Sequence, residues 1–288
     1  MIKPRFVDRL FSKLVLISFT RLISLACLSF VIAVLFLIVG PLLWHGLPEI
    51  DFNFLFGLPG FAGREGGIGP ILRGTVLITF SALLMTFLFG FPVALALSHP
   101  FLRKKKWITA TRWSLDLLAS TPSIVFGLFG NYLFVVTFKM GYSIVTGSLT
   151  LTMMLLPLFI RLAELELASF QDQLMPASFA HGLTEYEFVC KILCPVSFSS
   201  VCLILLICVS RAFGETAVLL FTSGFSMRNS GRFFESSRTL SVHIFDLALN
   251  VPGADSQALK SSALLIVITV LTSIMARLFM RKKYFYET

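Results

Sequence analysis

The chain is 288 residues long, 56% hydrophobic and only 14% charged, with 31 phenylalanines. A soluble domain carries about 25% charged residues, so this composition excludes a water-dissolved globule and makes lipid the natural solvent. The formal charge of +9 would suit nucleic-acid binding in a soluble protein; here membrane topology explains it better.

Apolar runs long enough to cross about 30 Å of hydrocarbon recur along the chain. They fall at roughly 22–43, 74–98, 113–138, 143–163, 195–225 and 261–280, and predict an all-α integral membrane protein with six transmembrane helices. The fifth is longer than one crossing needs, so it is tilted, broken or extended beyond the bilayer. Lys3, Arg5, Arg9, Lys13 and Arg21 precede the first span. Arg103, Lys104, Lys105, Lys106 and Arg112 lie between spans two and three, and Arg277, Arg281, Lys282 and Lys283 close the chain. The positive-inside rule then places both termini in the cytoplasm, in accord with an even number of crossings. The first span follows basic residues without a clean small-x-small cleavage site, so it reads as a retained signal anchor.

Residues 44–73 form a first external segment, with turn signals at Pro48, Pro59-Gly60 and Gly66-Gly67. Residues 164–194 are semi-polar and face the cytoplasm; Glu164, Glu166, Asp172, Glu185 and Glu187 make them acidic. Ala177, Phe179, Ala180, Leu183 and Phe188 suggest short amphipathic helices broken at Gly182. Such an element wants a protein partner, or lies as a hairpin on the chain's own spans or on lipid. The second external segment, 226–257, is an ordered cap or a flexible loop. The five cysteines, Cys27, Cys190, Cys194, Cys202 and Cys208, form no CxxC pair and read as small packing residues. His45, His99, His181 and His243 are too scattered to suggest a metal site.

One stretch breaks the apolar pattern with opposed charges. RAFGETAVLL (211–220) puts Arg211 and Glu215 inside a long apolar run, where each charge costs at least about 2.5–3.5 kcal/mol. At i and i+4 they would share a helix face and form an internal ion pair that fixes packing, or line a polar pathway. A guanidinium is well shaped for bidentate contact with an oxyanion, and Gly214 would let another backbone approach. Arg161 ends the run LPLFIR and reads, on its own, as a snorkelling or topology-marking arginine. In TPSIVFGLFG (121–130), Pro122 disturbs the helix, so freed amides and the Thr121 and Ser123 hydroxyls could meet an oxyanion. Gly127 and Gly130 could instead serve close helix packing. No phosphate-binding loop, nucleophile–base pair, paired-carboxylate motif or internal repeat is present in the sequence.

The semi-polar stretch resembles the cytoplasmic EAA loop of ABC importer permeases, whose pattern is Glu-Ala-Ala, three residues, Gly, nine residues, Ile, any residue, Leu-Pro. Pro176-Ala177-Ser178, Gly182, Ile192 and Pro195 keep that spacing, with Pro176 in place of the acid and Cys194 in place of the leucine. GGIGPILRGT (66–75), TPSIVFGLFG and RAFGETAVLL resemble segments of PstA-type permease subunits of phosphate-specific ABC importers. The resemblance implies a type I ABC importer permease fold over 66–280, preceded by a basic tail, anchor and external segment over 1–65. It implies a non-enzymatic subunit of the bacterial inner membrane, paired with a PstC-like permease, two ABC ATPase subunits and a periplasmic phosphate-binding protein. ATP and magnesium would sit on the ATPase partner, with no cofactor bound by this chain. Arg211, Glu215, Arg161, Thr121 and Ser123 would line the substrate pathway, and Ala177, Ser178, Gly182, Ile192 and Pro195 would form the ATPase coupling loop. Other readings are the same fold carrying molybdate or sulfate, and an ATP-independent channel or secondary transporter.

Overall fold

The computed structural model describes residues 4–100, 105–228 and 232–286, with side chains over 20–100, 105–228 and 232–278. The topology markers Lys3, Arg103 and Lys104 lie outside the described residues, as do the side chains of Arg5, Arg9, Lys13, Arg281, Lys282 and Lys283. In chain order the helices are α1 (Pro4–Gly46), α2 (Phe52–Phe56), α3 (Gly69–Ser98), α4 (Lys106–Ser120), α5 (Ser123–Gly130), α6 (Ile144–Ala180), α7 (Glu185–Glu187), α8 (Cys194–Gly214), α9 (Ala217–Leu220), α10 (Leu240–Asn250) and α11 (Asp255–Tyr286). α5 and α7 each continue in wide π-type turns, Asn131–Thr137 and Phe188–Leu193. Two short antiparallel strands, β1 (Pro59–Gly60) and β2 (Glu65–Gly66), close the first external segment.

Among the described residues five helices are long and apolar enough to cross a membrane, and α4 with α5 and its π-type extension passes the same test as a pair bent by 97°, which makes six with the pair as one broken span. The expected six spans are met on that count, with the third of them broken. Thr121 precedes Pro122 and is held extended, at ψ 132°, because the proline ring crowds an α-helical residue before it. Pro122 also lacks the N–H that would continue the helix.

The expected fifth span is broken too. α8 stops at Gly214, and Glu215 has an extended backbone at φ −76°, ψ 118°. A four-residue helix, α9, follows, and the chain then turns back. Arg211 and Glu215 thus do not share one continuous helix face, as the i, i+4 spacing predicts; Glu215 lies just past the helix end.

α6 departs from expectation in the opposite sense. The sequence reading ends the fourth span near residue 163 and starts separate short helices, whereas α6 is one helix of 37 residues. Glu164 and Glu166 lower the hydropathy but are good helix formers, as are Leu165, Leu167 and Ala168 around them. Apolarity ends there and helicity does not.

α3, α6 and α8 build the core, with Ile78, Ala82, Leu151, Leu155, Phe159, Val201 and Ile204 buried among them. The α3–α6 seam carries small and hydroxylated side chains. Thr152 Oγ1 donates to the Ala82 carbonyl at 3.2 Å and Ser148 Oγ to the Ile78 carbonyl at 3.3 Å. Without a hydrophobic drive between helices in lipid, close backbone approach and such bonds supply the cohesion. α1 stands apart. Its large side chains are exposed along the span, Phe36 by 78% and Leu37 by 74%, and it is pinned to α11 just past its C-terminal end, where Lys260 Nζ lies 3.0 Å from Glu49 Oε2.

The second external segment is ordered over its described residues. The Phe233 and Glu235 carbonyls accept from Val145 N and Ile144 N, each at 3.1 Å, and the Thr222 carbonyl accepts from Ser143 N at 3.3 Å. These bonds satisfy amides that the start of α6 leaves without helical partners. The segment is a cap rather than a flexible loop.

Candidate functional site

The two helix breaks meet. α5 packs on α9, and Gly127 makes the approach possible: a Cβ there would lie 2.7 Å from the Ala217 carbonyl oxygen and 3.1 Å from Val218 Cα. Gly130 does the same toward α6, where a Cβ would overlap the Thr150 side chain. Both glycines therefore serve close packing, and that packing juxtaposes Thr121-Pro122-Ser123 with Gly214-Glu215-Thr216.

Glu215 is the centre of this junction. Its carbonyl accepts from Ser241 Oγ of α10 at 2.7 Å. The Ser123 side chain lies within electrostatic reach of its carboxylate. Arg211 Nη2 approaches Glu215 Oε1 to 3.9 Å, with the Arg211 side chain 46% exposed and that of Glu215 13%. That separation is an ion-pair contact but too long for a hydrogen bond. Arg211 is thus a cation next to a fixed carboxylate, with much of its planar fork uncovered. Thr121 plays a different local part: its hydroxyl donates to the Leu117 carbonyl at 3.0 Å and satisfies an acceptor left over where α4 ends. Gly214 was expected to admit a neighbouring backbone; within this chain nothing lies within 4 Å of a Cβ placed there.

Arg161 sits elsewhere, midway along α6, in a four-charge cluster. It donates from Nη1 to Glu164 Oε2 at 2.8 Å and from Nε to Asp116 Oδ1 at 2.8 Å. Arg112 of α4 donates from Nε to the other oxygen of Glu164. The side chain is therefore engaged by two carboxylates rather than snorkelling outward. The sequence reading assigned Glu164 to the cytoplasmic stretch, counted Arg112 as a topology marker and passed over Asp116. An aspartate within the 113–138 run was the signal that could have found the cluster, since ionisable groups within spans need partners.

The break between α6 and α7 is written residue by residue in HGLTEYE (181–187). Gly182 takes φ +78°, the left-handed conformation that favours glycine. Gly182 N donates to the Phe179 carbonyl at 3.0 Å and Leu183 N to the Ser178 carbonyl at 3.2 Å, the paired bonds of a Schellman ending. Thr184 then caps α7, accepting from Glu187 N while the Glu187 carboxylate accepts from Thr184 N, a capping box. The Lys191 ammonium, then the Thr184 amide and hydroxyl, hold the Glu187 carboxyl down at about 2. Phe179 and Phe188 meet edge to face at 6.3 Å and close the hairpin. Pro176, Ala177 and Tyr186 are left exposed, while Ser178 is buried and Ile192 half-buried. Tyr186, 77% exposed, is a large side chain at the tip that the sequence reading did not single out. Pro195 follows directly on the wide turns Phe188–Leu193, inside the continuous helical stretch Glu185–Gly214, where its ring and missing N–H disturb the regular i to i−4 ladder. Among the described residues no group of three or more His, Cys, Asp or Glu could hold a metal ion.

Residues 87–283 match the family described as binding-protein-dependent transport system inner membrane component. The PstA phosphate transport system permease protein of Yersinia pestis is 31% identical over 233 residues, covering 78% of this chain and 75% of that protein. The chain is a PstA-type ABC importer permease. A PstA protein of Haemophilus influenzae is 27% identical over 91% of this chain and 93% of its own length. YqgI of Bacillus subtilis, described as a probable ABC transporter permease protein, is 28% identical over 87% of this chain and 90% of its own. Among solved structures, a chain of the MetNI methionine ABC transporter in an inward-facing conformation superposes with a TM-score of 0.59. It has 18% identity and covers 75% of this chain and 95% of that one. The permease family makes this a multi-pass membrane component of a transporter.

Proposed function

We propose that this permease forms half of the translocation pathway of an ATP-driven inorganic phosphate importer. The observation that carries the reading is the junction of two helix breaks, with the half-exposed Arg211 guanidinium 3.9 Å from Glu215 and Ser123 near the same carboxylate. Broken helices at membrane depth are tolerated where they are buried in protein or line a water-filled cavity. A planar cation there suits a tetrahedral oxyanion. The kinship with PstA proteins supports phosphate among oxyanions. Arg211, Glu215, Ser123 and Thr121 line the path, and Arg161 acts below them.

The remaining partners follow from the same reading. A PstC-like permease supplies the other half of the path, and a periplasmic phosphate-binding protein delivers at the capped outer face. An ABC ATPase pair carries ATP and magnesium and docks on the hairpin formed by Ala177, Ser178, Gly182, Ile192 and Pro195. Both termini lie in the cytoplasm of a bacterial cell with the protein in its inner membrane.

The test is uptake of radiolabelled phosphate, normalised to assembled complex and challenged with molybdate and sulfate. Arg211→Lys keeps the charge but loses the fork, and is expected to transport poorly. Arg211→Gln should be at least as defective. The double variant Arg211→Gln with Glu215→Gln removes both charges and should assemble yet remain defective. Full recovery in the double variant would reduce the pair to a packing device, and equal competition by molybdate would reassign the substrate.

A further inference from the structure

The charge cluster around Arg161 is continuous with the cytoplasmic hairpin through the end of α3. Three consecutive residues there grip three different elements. The Leu97 carbonyl accepts from Arg112 Nη2 of α4 at 3.1 Å. Ser98 Oγ accepts from Gln171 Nε2 of α6 at 2.8 Å. His99 Nε2 lies 2.6 Å from Oε1 of Glu185, the first residue of α7, a close polar contact without hydrogen-bond geometry. Arg112 then meets Glu164, Glu164 meets Arg161, and Arg161 meets Asp116 back on α4. The Glu164 side chain is 4% exposed and that of Asp116 54%. The inner contact is thus fixed and the outer one can part.

We propose that Glu164 is a positioning residue that makes α4 follow the hairpin, so that movement at α7 reaches the Thr121–Ser123 break. This rests on reading the hairpin as the ATPase-facing element. A displacement of Glu185 draws on His99 and shifts the last turn of α3. The Leu97 carbonyl holds Arg112, and Arg112 is held to α6 by Glu164. α4 carries Arg112 at its middle and Asp116 one turn further on, and ends at Ser120, directly before the bend. Such a chain of bonded elements with a separable contact is the physical form that coupling between distant sites requires. Neutralising Glu164 removes the carboxylate shared by Arg112 and Arg161 and leaves Asp116 on Arg161 alone. The buried tie of α4 to α6 through Arg112 is lost and only the exposed Arg161–Asp116 contact still joins them, while the pathway residues near Glu215 and the hairpin's outer surface are untouched.

The experiment uses the complex purified with its second permease, ATPase and binding protein in proteoliposomes. Phosphate uptake and ATP hydrolysis are measured on the same preparation. Glu164→Gln is expected to hydrolyse ATP within about twofold of the parent while uptake per ATP falls at least about fivefold, the lower range of a coupling free energy. His99→Phe should lower the same ratio. The double variant should be no worse than Glu164→Gln alone, because both changes interrupt one chain of contacts; losses that multiply would show independent roles and overturn the proposal. Spin labels placed at Trp113 and Leu165, both exposed, should change separation on ATP binding in the parent and not in Glu164→Gln. If Glu164→Gln fails to assemble, Asp116→Asn carries the same measurement and should lower the ratio. A parental ratio in whichever variant assembles overturns the proposal. A parent complex that imports no phosphate overturns the functional reading instead.

Discussion

Two glycines with the same side chain do opposite work here. A Cβ at Gly130 would overlap Thr150, whereas one at Gly214 meets nothing within 4 Å. Gly130→Val should push α5 off α6 and cost about 1–3 kcal/mol by overpacking. It should be read as a lower melting temperature of the detergent-purified protein. Gly214→Ala should leave that temperature unchanged, so a transport loss from it alone would locate another chain against Gly214. An equal loss of stability in both would mean that the space around Gly214 is filled. Single residues were legible where they offended the solvent. Arg211 and Glu215 stood out because charge in an apolar run demands a reason, and Pro122 because it breaks helices. Asp116 has the same character and was missed, since one acid inside an aromatic-rich stretch barely changes its average. The Ser123–Glu215 proximity spans 92 positions of chain and could not be read from any local pattern.

The hairpin between α6 and α7 is specified by two caps laid end to end. Gly182→Val places a β-branched residue at φ +78°, a strained backbone that costs about 1–3 kcal/mol. Membrane insertion should survive, and co-purification of the ATPase should fall; normal co-purification with normal uptake would remove the hairpin from coupling. Thr184→Ala should cost about 0.5–2 kcal/mol of local stability and speed amide exchange at 184–188. The pH dependence has a definite sign. The Glu187 carboxyl is held at about 2, below its ordinary 4.5, so its support is present above the ordinary value and is lost as pH falls through about 2. Exchange at the α7 cap should accordingly be slow at neutral pH and accelerate as pH drops below that ordinary value, beyond the intrinsic change; a cap indifferent to that range would contradict the geometry. The break at Gly182 was legible because glycine, threonine and glutamate carry its chemistry in seven residues. The continuation of α6 was not, because hydropathy measures the solvent around a helix and not the helix.

At the scale of the whole chain the order of spans could be read from apolar length and the fold followed. The two bends could not be placed in space, since a proline announces a break without its angle. Orientation is open to direct measurement. A reporter fused after Lys105 should lie in the cytoplasm and one after Arg232 outside; cytoplasmic labelling at 232 would invert the proposed arrangement. α6 gives this layout a mechanical meaning. Its 37 residues extend about 55 Å at the helical rise, from amides held by the outer cap to the carbonyls of the Gly182 turn. One helix therefore has its two ends in different compartments, with no loop between them to absorb a tilt. Whatever docks outside and favours one inclination of this beam changes the affinity for whatever docks inside, and by reciprocity the inner occupant returns the same factor to the outer one. The binding partner on one side of the membrane can thus be weighed from the other: titrating the ATPase should shift the apparent affinity of the external protein by the ratio measured in reverse.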